Sequence, residues 1–169
     1  MAGRRVYFSF HYERDVWRAT NVRKAGEVDA TARAGWNDAS LWEEAKRKGR
    51  HEIERLIVRG LNGTSVTAVL IGTETASRSW VKYEIQRSID RGNGILGVRI
   101  HNIKDQFGHQ SQRGPVPQAL LDGHYSVHDW DRARLGLGQW VEWAAVRAGK
   151  PCLRHRALNC FHCRRHWWS

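Results

Sequence analysis

The sequence contains few of the features that mark secreted or membrane proteins. It has three cysteines among 169 residues, all within the last 18, and this odd number argues against a disulfide scaffold. No apolar run approaches the ~18–20 residues that a membrane-spanning helix needs. The basic start, Met1 to Arg5, is not followed by the apolar core of a signal peptide. We therefore expect a cytoplasmic globular protein without a membrane partner.

Acidic residues are scarce relative to basic ones, with 17 Asp and Glu against 28 Lys and Arg and a net charge of +11. Such a charge is typical of nucleic-acid-binding proteins. Its distribution weakens that interpretation, because residues 1–60 hold 13 basic and 9 acidic residues, whereas residues 151–169 hold four arginines and no acid. A mixed surface with a basic tail explains the charge without nucleic acid, although tail binding through Trp167 and Trp168 remains a competing hypothesis. A positive field would also attract an anionic small molecule such as a dinucleotide.

The three cysteines lie in this basic tail. Cys160 and Cys163 form one C-x-x-C pair, and Cys152 and His166 would complete a set of four zinc ligands. A zinc module usually carries two such pairs, so a lightly packed extension without metal is the alternative, and we assign no metal site. We divide the chain into a domain over residues 1–150 and a tail over residues 151–169.

Hydrophobic patterning alternates between strand-like and helix-like segments. It predicts strands at 4–10, within 28–34, at 64–71, 95–100 and 125–127, and helices at 12–24, from about 41, at 50–61, 80–91 and 135–148. Residues 101–124 are expected to form a long polar loop. This alternation predicts a three-layer α/β, flavodoxin-like domain with a five-stranded parallel sheet in the order 2-1-3-4-5. Ligands of such sheets bind beyond the carboxyl ends of the strands, so the loops after Phe10 and Ile71 should shape the site.

The common nucleotide-binding and catalytic motifs are misplaced or absent. The G-x-G-x-x-G match at 92–97 follows a predicted helix and precedes a predicted strand, which is the reverse of the dinucleotide-binding arrangement. The sequence has no P-loop and no G-x-S-x-G elbow. A phosphoacceptor domain of the same fold would need acidic residues where the first and third predicted strands end, but Phe10-His11 and Ile71-Gly72 occupy those positions.

The stretch from Ser77 to Glu84 follows the most apolar predicted strand and opens a helix. Trp80 and Glu84 are four residues apart and therefore share one helix face, beside a buried stripe formed by Val81, Ile85 and Ile89. This pattern places a carboxylate next to an indole ring at the carboxyl edge of the sheet. A surface glutamate paired with neighbouring basic side chains is the alternative.

Several of these segments also carry a family resemblance, which covers about residues 4–150. The segments are the Ser65–Thr73 strand, the Ser79–Ile85 helix start with its Trp-x-x-x-Glu spacing, the Gly97–His101 strand, the Tyr7–Tyr12 run and the Trp36–Trp42 segment. Together they resemble the TIR-like family that includes the ThsB proteins of the Thoeris antiphage defence system.

The resemblance implies that the protein cleaves or cyclises NAD⁺, with no cofactor beyond this substrate. Enzymatic members make a cyclic ADP-ribose isomer, a diffusible signal that activates a partner effector, and they often self-associate. The catalytic glutamate of the family falls on Glu84. The residues that the resemblance and the chemistry of stacking assign to NAD⁺ binding are Phe8, Ser9, Phe10, His11, Asp38 and Trp80. Many TIR domains only assemble with other TIR domains, so a non-catalytic interaction module is the alternative.

Overall fold

The computed structural model describes residues 4–24, 39–130 and 136–153 of the chain. The strands in this part are β1 (Val6–Ser9), β2 (Val66–Ile71), β3 (Gly94–Arg99) and β4 (Val127–Asp129). The helices are α1 (Tyr12–Arg23), α2 (Ala39–Lys48), α3 (Arg50–Leu61), α4 (Ser79–Asp90), α5 (Gln118–Asp122) and α6 (Leu137–Arg147), and a 3₁₀ turn (Thr75–Ser77) precedes α4. No helix among these residues is both long and apolar enough to cross a membrane.

The four described strands form one parallel sheet in the order β1-β2-β3-β4. In the register, Val6 pairs with Val66 and Val66 pairs with Gly94. All six side chains of β2 are buried, as expected for a central parallel strand covered on both faces. The predicted α/β class and parallel sheet are confirmed. The five-stranded order 2-1-3-4-5 is not confirmed, because the predicted second strand within 28–34 lies outside the described residues.

Helices cover both faces of the sheet, which gives the three layers. On one face α1 and α6 pack against alternate residues of β1, β2 and β3, including Phe8 and Leu70. On the other face α2 and α3 enclose Tyr7, and α4 and α5 pack against Val69 and Ile71. Side chains alternate between the two faces along a strand, so Tyr7 and Ser9 project away from Phe8. This alternation decides which residues of β1 reach the functional site.

The helix α6 is fixed to the sheet by a close approach and by a buried ion pair. Gly94 starts β3 directly beneath α6, where an added Cβ would lie 2.3 Å from the Ala144 carbonyl oxygen. The guanidinium of Arg4 donates to both carboxylate oxygens of Glu142, at 2.8 and 2.9 Å, and both side chains are buried. A buried ion pair is tolerated when hydrogen bonds satisfy its charges, and here it joins the residues before β1 to α6.

The structure corrects the segment from residue 101 to residue 129. The predicted loop contains α5, a five-residue helix too short to give a recognisable period in the sequence. Its Leu120 is fully buried and packs against Gly97 of β3. The last strand begins at Val127, because Tyr125 and Ser126 still belong to the connection from α5.

Candidate functional site

The site lies at the carboxyl edge of the sheet, where α1 and α4 begin. The α4 helix carries Glu84 on its second turn, and α1 begins directly after β1 and His11. The Glu84 side chain is oriented inward, and the residue is only 2 % exposed. A buried carboxyl group is costly unless hydrogen bonds satisfy it, so its surroundings show what holds it.

Two hydroxyl groups of β1 hold the Glu84 carboxyl group. The Tyr7 hydroxyl donates to Oε1 at 2.7 Å, and the Ser9 hydroxyl donates to Oε2. The two donors are two residues apart on one strand face, which is why they reach one side chain together. These two hydrogen bonds orient the carboxyl group and offset the cost of burying it.

Glu84 lines a cavity of about 210 Å³. The first turns of α1 and α4 and one face of α2 supply the other lining residues: Phe10, His11, Tyr12, Glu13, Trp42, Lys46, Arg78, Ser79, Trp80 and Val81. The cavity therefore combines the buried Glu84 carboxyl group with aromatic side chains and a rim of charged side chains. Such a mixture of apolar walls and a few polar groups is typical of small-molecule sites.

Aromatic rings form a continuous wall beside the carboxyl group. The Tyr12 and Trp42 rings are 6.1 Å apart, Trp42 meets Trp80 edge to face at 6.5 Å, and Trp80 meets Tyr83 at 5.9 Å. The Arg50 guanidinium lies 5.8 Å from the centre of the Trp80 ring. Edge-to-face contacts fix ring orientation, so the wall offers an ordered apolar surface to a planar ligand ring.

His11 is the second buried polar residue of the cavity, with 7 % of its surface exposed. Neither ring nitrogen has a hydrogen-bond partner among the described residues, and Nε2 is 3.7 Å from the nearer Glu13 oxygen. Burial lowers the His11 pKa below its usual 6.5 and the Arg78 cation lowers it further, while Asp15, Glu13 and Glu74 oppose this change. The ring is therefore neutral at pH 7, with one N–H donor and one acceptor nitrogen.

The structure brings together most, but not all, of the residues that the sequence pointed to. Glu84, Phe10, His11 and Trp80 line one cavity, and Ser9 bonds to Glu84 from its edge. Phe8 instead lies on the opposite face of the sheet, in the core beneath α1 and α6, so it does not line the cavity. Its assignment to NAD⁺ binding ignored the alternation of side chains along β1.

The remaining predicted residues lie elsewhere in the chain. Asp38 lies outside the described residues, as do Cys160, Cys163 and His166. Cys152 is buried against Val146, beyond the end of α6. In the part of the chain that the structure describes, no three His, Cys, Asp or Glu side chains are grouped to hold a metal ion.

Sequence reasoning missed several residues that surround Glu84. Tyr7 contacts the carboxyl group directly, and the signal for it was its two-residue spacing from Ser9 in an otherwise apolar strand. Trp42 lies in the cavity wall, and α2 also brings Lys46 to the rim. No local pattern shows that α2 packs beside the start of α4.

Comparisons with known proteins identify the family of the chain. The family model described as "Thoeris protein ThsB, TIR-like domain" matches residues 7–105, a range that contains α1, α4 and all of β1 except its first residue. The chain is also 44 % identical over 140 residues to a Bacillus cereus (strain MSX-D12) protein named "Putative cyclic ADP-D-ribose synthase ThsB1". That alignment covers 82 % of this chain and 71 % of the relative. The chain therefore belongs to the family of Thoeris ThsB proteins with a TIR-like domain.

Proposed function

We propose that this protein cleaves NAD⁺ and makes a cyclic ADP-ribose-type signal in antiphage defence, with Glu84 as the catalytic carboxylate. Membership of the ThsB family and the name of the Bacillus cereus relative support the reaction. The observation that supports Glu84 is its position, because it is a buried carboxyl group whose two oxygens are held by hydroxyls inside an aromatic-walled cavity. A surface glutamate would have none of these features.

The chemistry requires little beyond this carboxylate. The bond between the anomeric carbon of the ribose and the nicotinamide nitrogen breaks, and nicotinamide leaves as a neutral molecule with the bonding electrons. The ribose carbon passes through an oxocarbenium-like state, which a fixed carboxylate stabilises electrostatically, as in glycoside hydrolysis. We expect the Glu84 carboxylate also to bind ribose hydroxyls, which fixes the sugar while the bond breaks.

The size of the cavity indicates which part of the substrate it holds. At about 210 Å³ it is smaller than the ~300–1,000 Å³ of sites that enclose a drug-sized ligand. It suits the nicotinamide riboside half of NAD⁺, with the nicotinamide ring against Trp80 or Phe10. The adenosine half then lies beyond the rim, and cyclisation requires its adenine or a ribose hydroxyl to fold back over the anomeric carbon with water excluded.

The wider assignments extend this proposal. We expect the product to activate a separate effector as a diffusible nucleotide, NAD⁺ to be the sole small-molecule requirement, and the protein to self-associate when active. We also expect the segment around Asp38 to overhang the cavity, and a fifth strand within 28–34 to complete the order 2-1-3-4-5.

The test measures NAD⁺ and its products by chromatography and mass spectrometry. The full chain is incubated with NAD⁺, with and without extract from infected cells. We expect the parent protein to release nicotinamide and a cyclic ADP-ribose isomer, and Glu84→Gln to lower turnover by about 10²–10³-fold, the range seen on removal of one electrostatic stabiliser. The control is Glu44→Gln, because the Glu44 side chain is exposed and paired only with Lys48. Equal turnover in Glu84→Gln and the parent would exclude Glu84, and no turnover in the parent under either condition would favour a non-catalytic module.

A further inference from the structure

A chain of buried hydrogen bonds links β2 to the backbone of α4 at Glu84. The side-chain amide of Asn93 donates to the Thr67 hydroxyl at 3.3 Å. That hydroxyl donates to the Ser88 hydroxyl at 2.8 Å, and Ser88 in turn donates to the backbone carbonyl oxygen of Glu84 at 2.7 Å. Asn93, Thr67 and Ser88 are all buried. The chain of hydrogen bonds therefore ends on the residue that carries the candidate catalytic carboxylate.

A polar side chain in the middle of β2 is unexpected from packing alone. Thr67 carries the one hydroxyl in a strand whose six residues are all buried, and valine has the same branched shape. A buried hydroxyl is costly unless it is hydrogen-bonded, and the Thr67 hydroxyl both accepts and donates. Buried polar networks whose members are satisfied make one arrangement of the surrounding elements rigid and specific. The Thr67 hydroxyl therefore supplies direction to the contact between β2 and α4.

The register of the sheet places this chain beside the hydroxyls that hold the Glu84 carboxyl group. Tyr7 of β1 is the register partner of Thr67 of β2, so both side chains project from the sheet face that α4 covers. Tyr7 donates to the carboxyl group of Glu84, whereas Thr67 reaches the backbone carbonyl of Glu84 through Ser88. Two adjacent strands therefore hold the side chain and the backbone of one residue.

The apolar contacts of α4 do not fix its position in the same way. Val81 and Ile85 pack in one cluster with Val69 of the same sheet face. Apolar packing is not directional, so a small shift of the helix along the sheet changes its burial little. Hydrogen bonds are short and directional, and Ser88 lies about 6 Å, or one helical turn, beyond Glu84. The bond from Thr67 to Ser88 therefore fixes the Glu84 turn of α4 relative to β2.

We propose that Thr67, Ser88 and Asn93 form a positioning chain that holds Glu84 at the place where its carboxylate meets the substrate. None of the three residues lines the cavity, so they act through Glu84 and do not touch the substrate. Their effect on catalysis rests on the proposed function, whereas the fixed position of α4 rests on the hydrogen bonds. Such positioning matters because a displacement of about 1 Å can lower a reaction rate about 10²-fold.

Two substitutions at one position separate the hydroxyl from the packing. Thr67→Val keeps the branched shape and removes the hydroxyl, whereas Thr67→Ser keeps the hydroxyl and removes a methyl group. The full chain of each variant is assayed for NAD⁺ turnover under the condition in which the parent is active. We expect Thr67→Val to lower kcat about tenfold and to change KM for NAD⁺ less than about threefold, because the cavity walls are unchanged. Thr67→Ser should keep kcat within about twofold of the parent, although the lost methyl group makes it less stable.

Two further variants complete the kinetic test. The matched control is Thr20→Val, because the Thr20 hydroxyl donates to the Val16 carbonyl oxygen at an exposed position of α1. Its kcat should equal that of the parent. Ser88→Ala should lower kcat about as much as Thr67→Val, and the double variant should be no slower than the slower single variant, since both changes break the same link.

Hydrogen exchange tests the position of α4 without turnover. Mass spectrometry follows the backbone amides of α4 and of α6 in the parent and in Thr67→Val. We expect the α4 amides to exchange about tenfold faster in the variant, because the loss of a buried hydrogen bond favours local opening of this helix. Exchange in α6 should be unchanged, because α6 packs on the opposite face of the sheet.

The outcomes separate the positioning chain from the proposed function. A kcat of Thr67→Val equal to that of the parent would overturn the positioning chain even though the parent cleaves NAD⁺. Equal losses of kcat in Thr67→Val and Thr67→Ser would also overturn it, because they would show that packing and not the hydroxyl matters. If the parent cleaves no NAD⁺, the proposed function fails and hydrogen exchange decides alone. Selective acceleration in α4 then supports the chain, and an equal change in α4 and α6, or no change, overturns it.

Discussion

The hydrogen bond from Tyr7 to Glu84 offers a sharp test of how the site works, through the substitution Tyr7→Phe. This change removes one oxygen atom and leaves the ring, which is fully buried among side chains of α2 and α3. The Glu84 Oε1 atom then loses a 2.7 Å hydrogen bond from a fully buried donor, while the Ser9 bond to Oε2 remains. Leaving one buried acceptor without its partner costs about 1–3 kcal/mol.

We therefore expect Tyr7→Phe to fold and to lose about 1–3 kcal/mol of unfolding free energy, measured by urea denaturation. Tyr7 does not line the cavity, so we expect it to position Glu84 without touching the substrate. Loss of the Tyr7 bond leaves the orientation of the Glu84 carboxylate less fixed. We expect this to lower kcat about 10- to 100-fold, because small misplacements of a reacting group are costly. KM for NAD⁺ should change less than threefold, because the walls and rim that bind the substrate remain unchanged.

The split between kcat and KM distinguishes positioning from a purely structural role. A merely structural tyrosine would lower stability and leave kcat per folded molecule unchanged, and that result would refute the reasoning. The control is Tyr125→Phe, because Tyr125 packs beside α5 and β4 and does not line the cavity. The double variant Tyr7→Phe with Glu84→Gln should be no slower than Glu84→Gln alone, since Tyr7 acts through that carboxylate.

Three further predictions concern the wall, the sheet and pH. Trp80→Ala should raise KM for NAD⁺ about tenfold, because stacking of a base on an aromatic ring contributes about 1–3 kcal/mol, and an unchanged KM would remove Trp80 from the binding wall. Gly94→Ala should destabilise the fold by about 1–3 kcal/mol, since the new methyl group would meet the Ala144 carbonyl oxygen at 2.3 Å, and an equal denaturation midpoint would contradict that close approach. The His128 ring is stacked on the Trp140 ring, with 4.3 Å between the ring centroids, and burial lowers the pKa of His128 below 6.5. As the pH falls below about 6.5, the unfolded chain therefore binds a proton at this histidine that the folded chain does not bind. Stability should fall over that range by up to about 1.4 kcal/mol per pH unit from this residue, and His128→Gln should reduce the slope in urea denaturation series from pH 7 to 5.

The parts of the fold with strong periodicity were predictable from the sequence. The helix at 50–61 begins and ends where its apolar stripe predicts, and the continuous apolar run of β2 correctly indicated a strand buried on both faces. The short helix α5 was missed because five residues contain little more than one helical turn. Local patterns therefore predict elements only when the elements extend over several periods.

The candidate site was predictable where it depends on a single helix and not where it depends on packing. The Trp80–Glu84 spacing correctly places both side chains at one cavity. The contact between Tyr7 and Glu84 joins residues 77 positions apart and has no local signal. Phe8 was assigned to NAD⁺ binding from the family resemblance, whereas the alternation of side chains along β1 sends Phe8 into the core.

The buried pair of Arg4 and Glu142 spans 138 positions of the chain and has a consequence for synthesis of the protein. It fixes the residues that lead into β1, and β1 carries the hydroxyls that hold the Glu84 carboxyl group. A nascent chain from which α6 has not yet emerged lacks the partner of Arg4, so we expect the residues before β1 to be fixed only after α6 has been made.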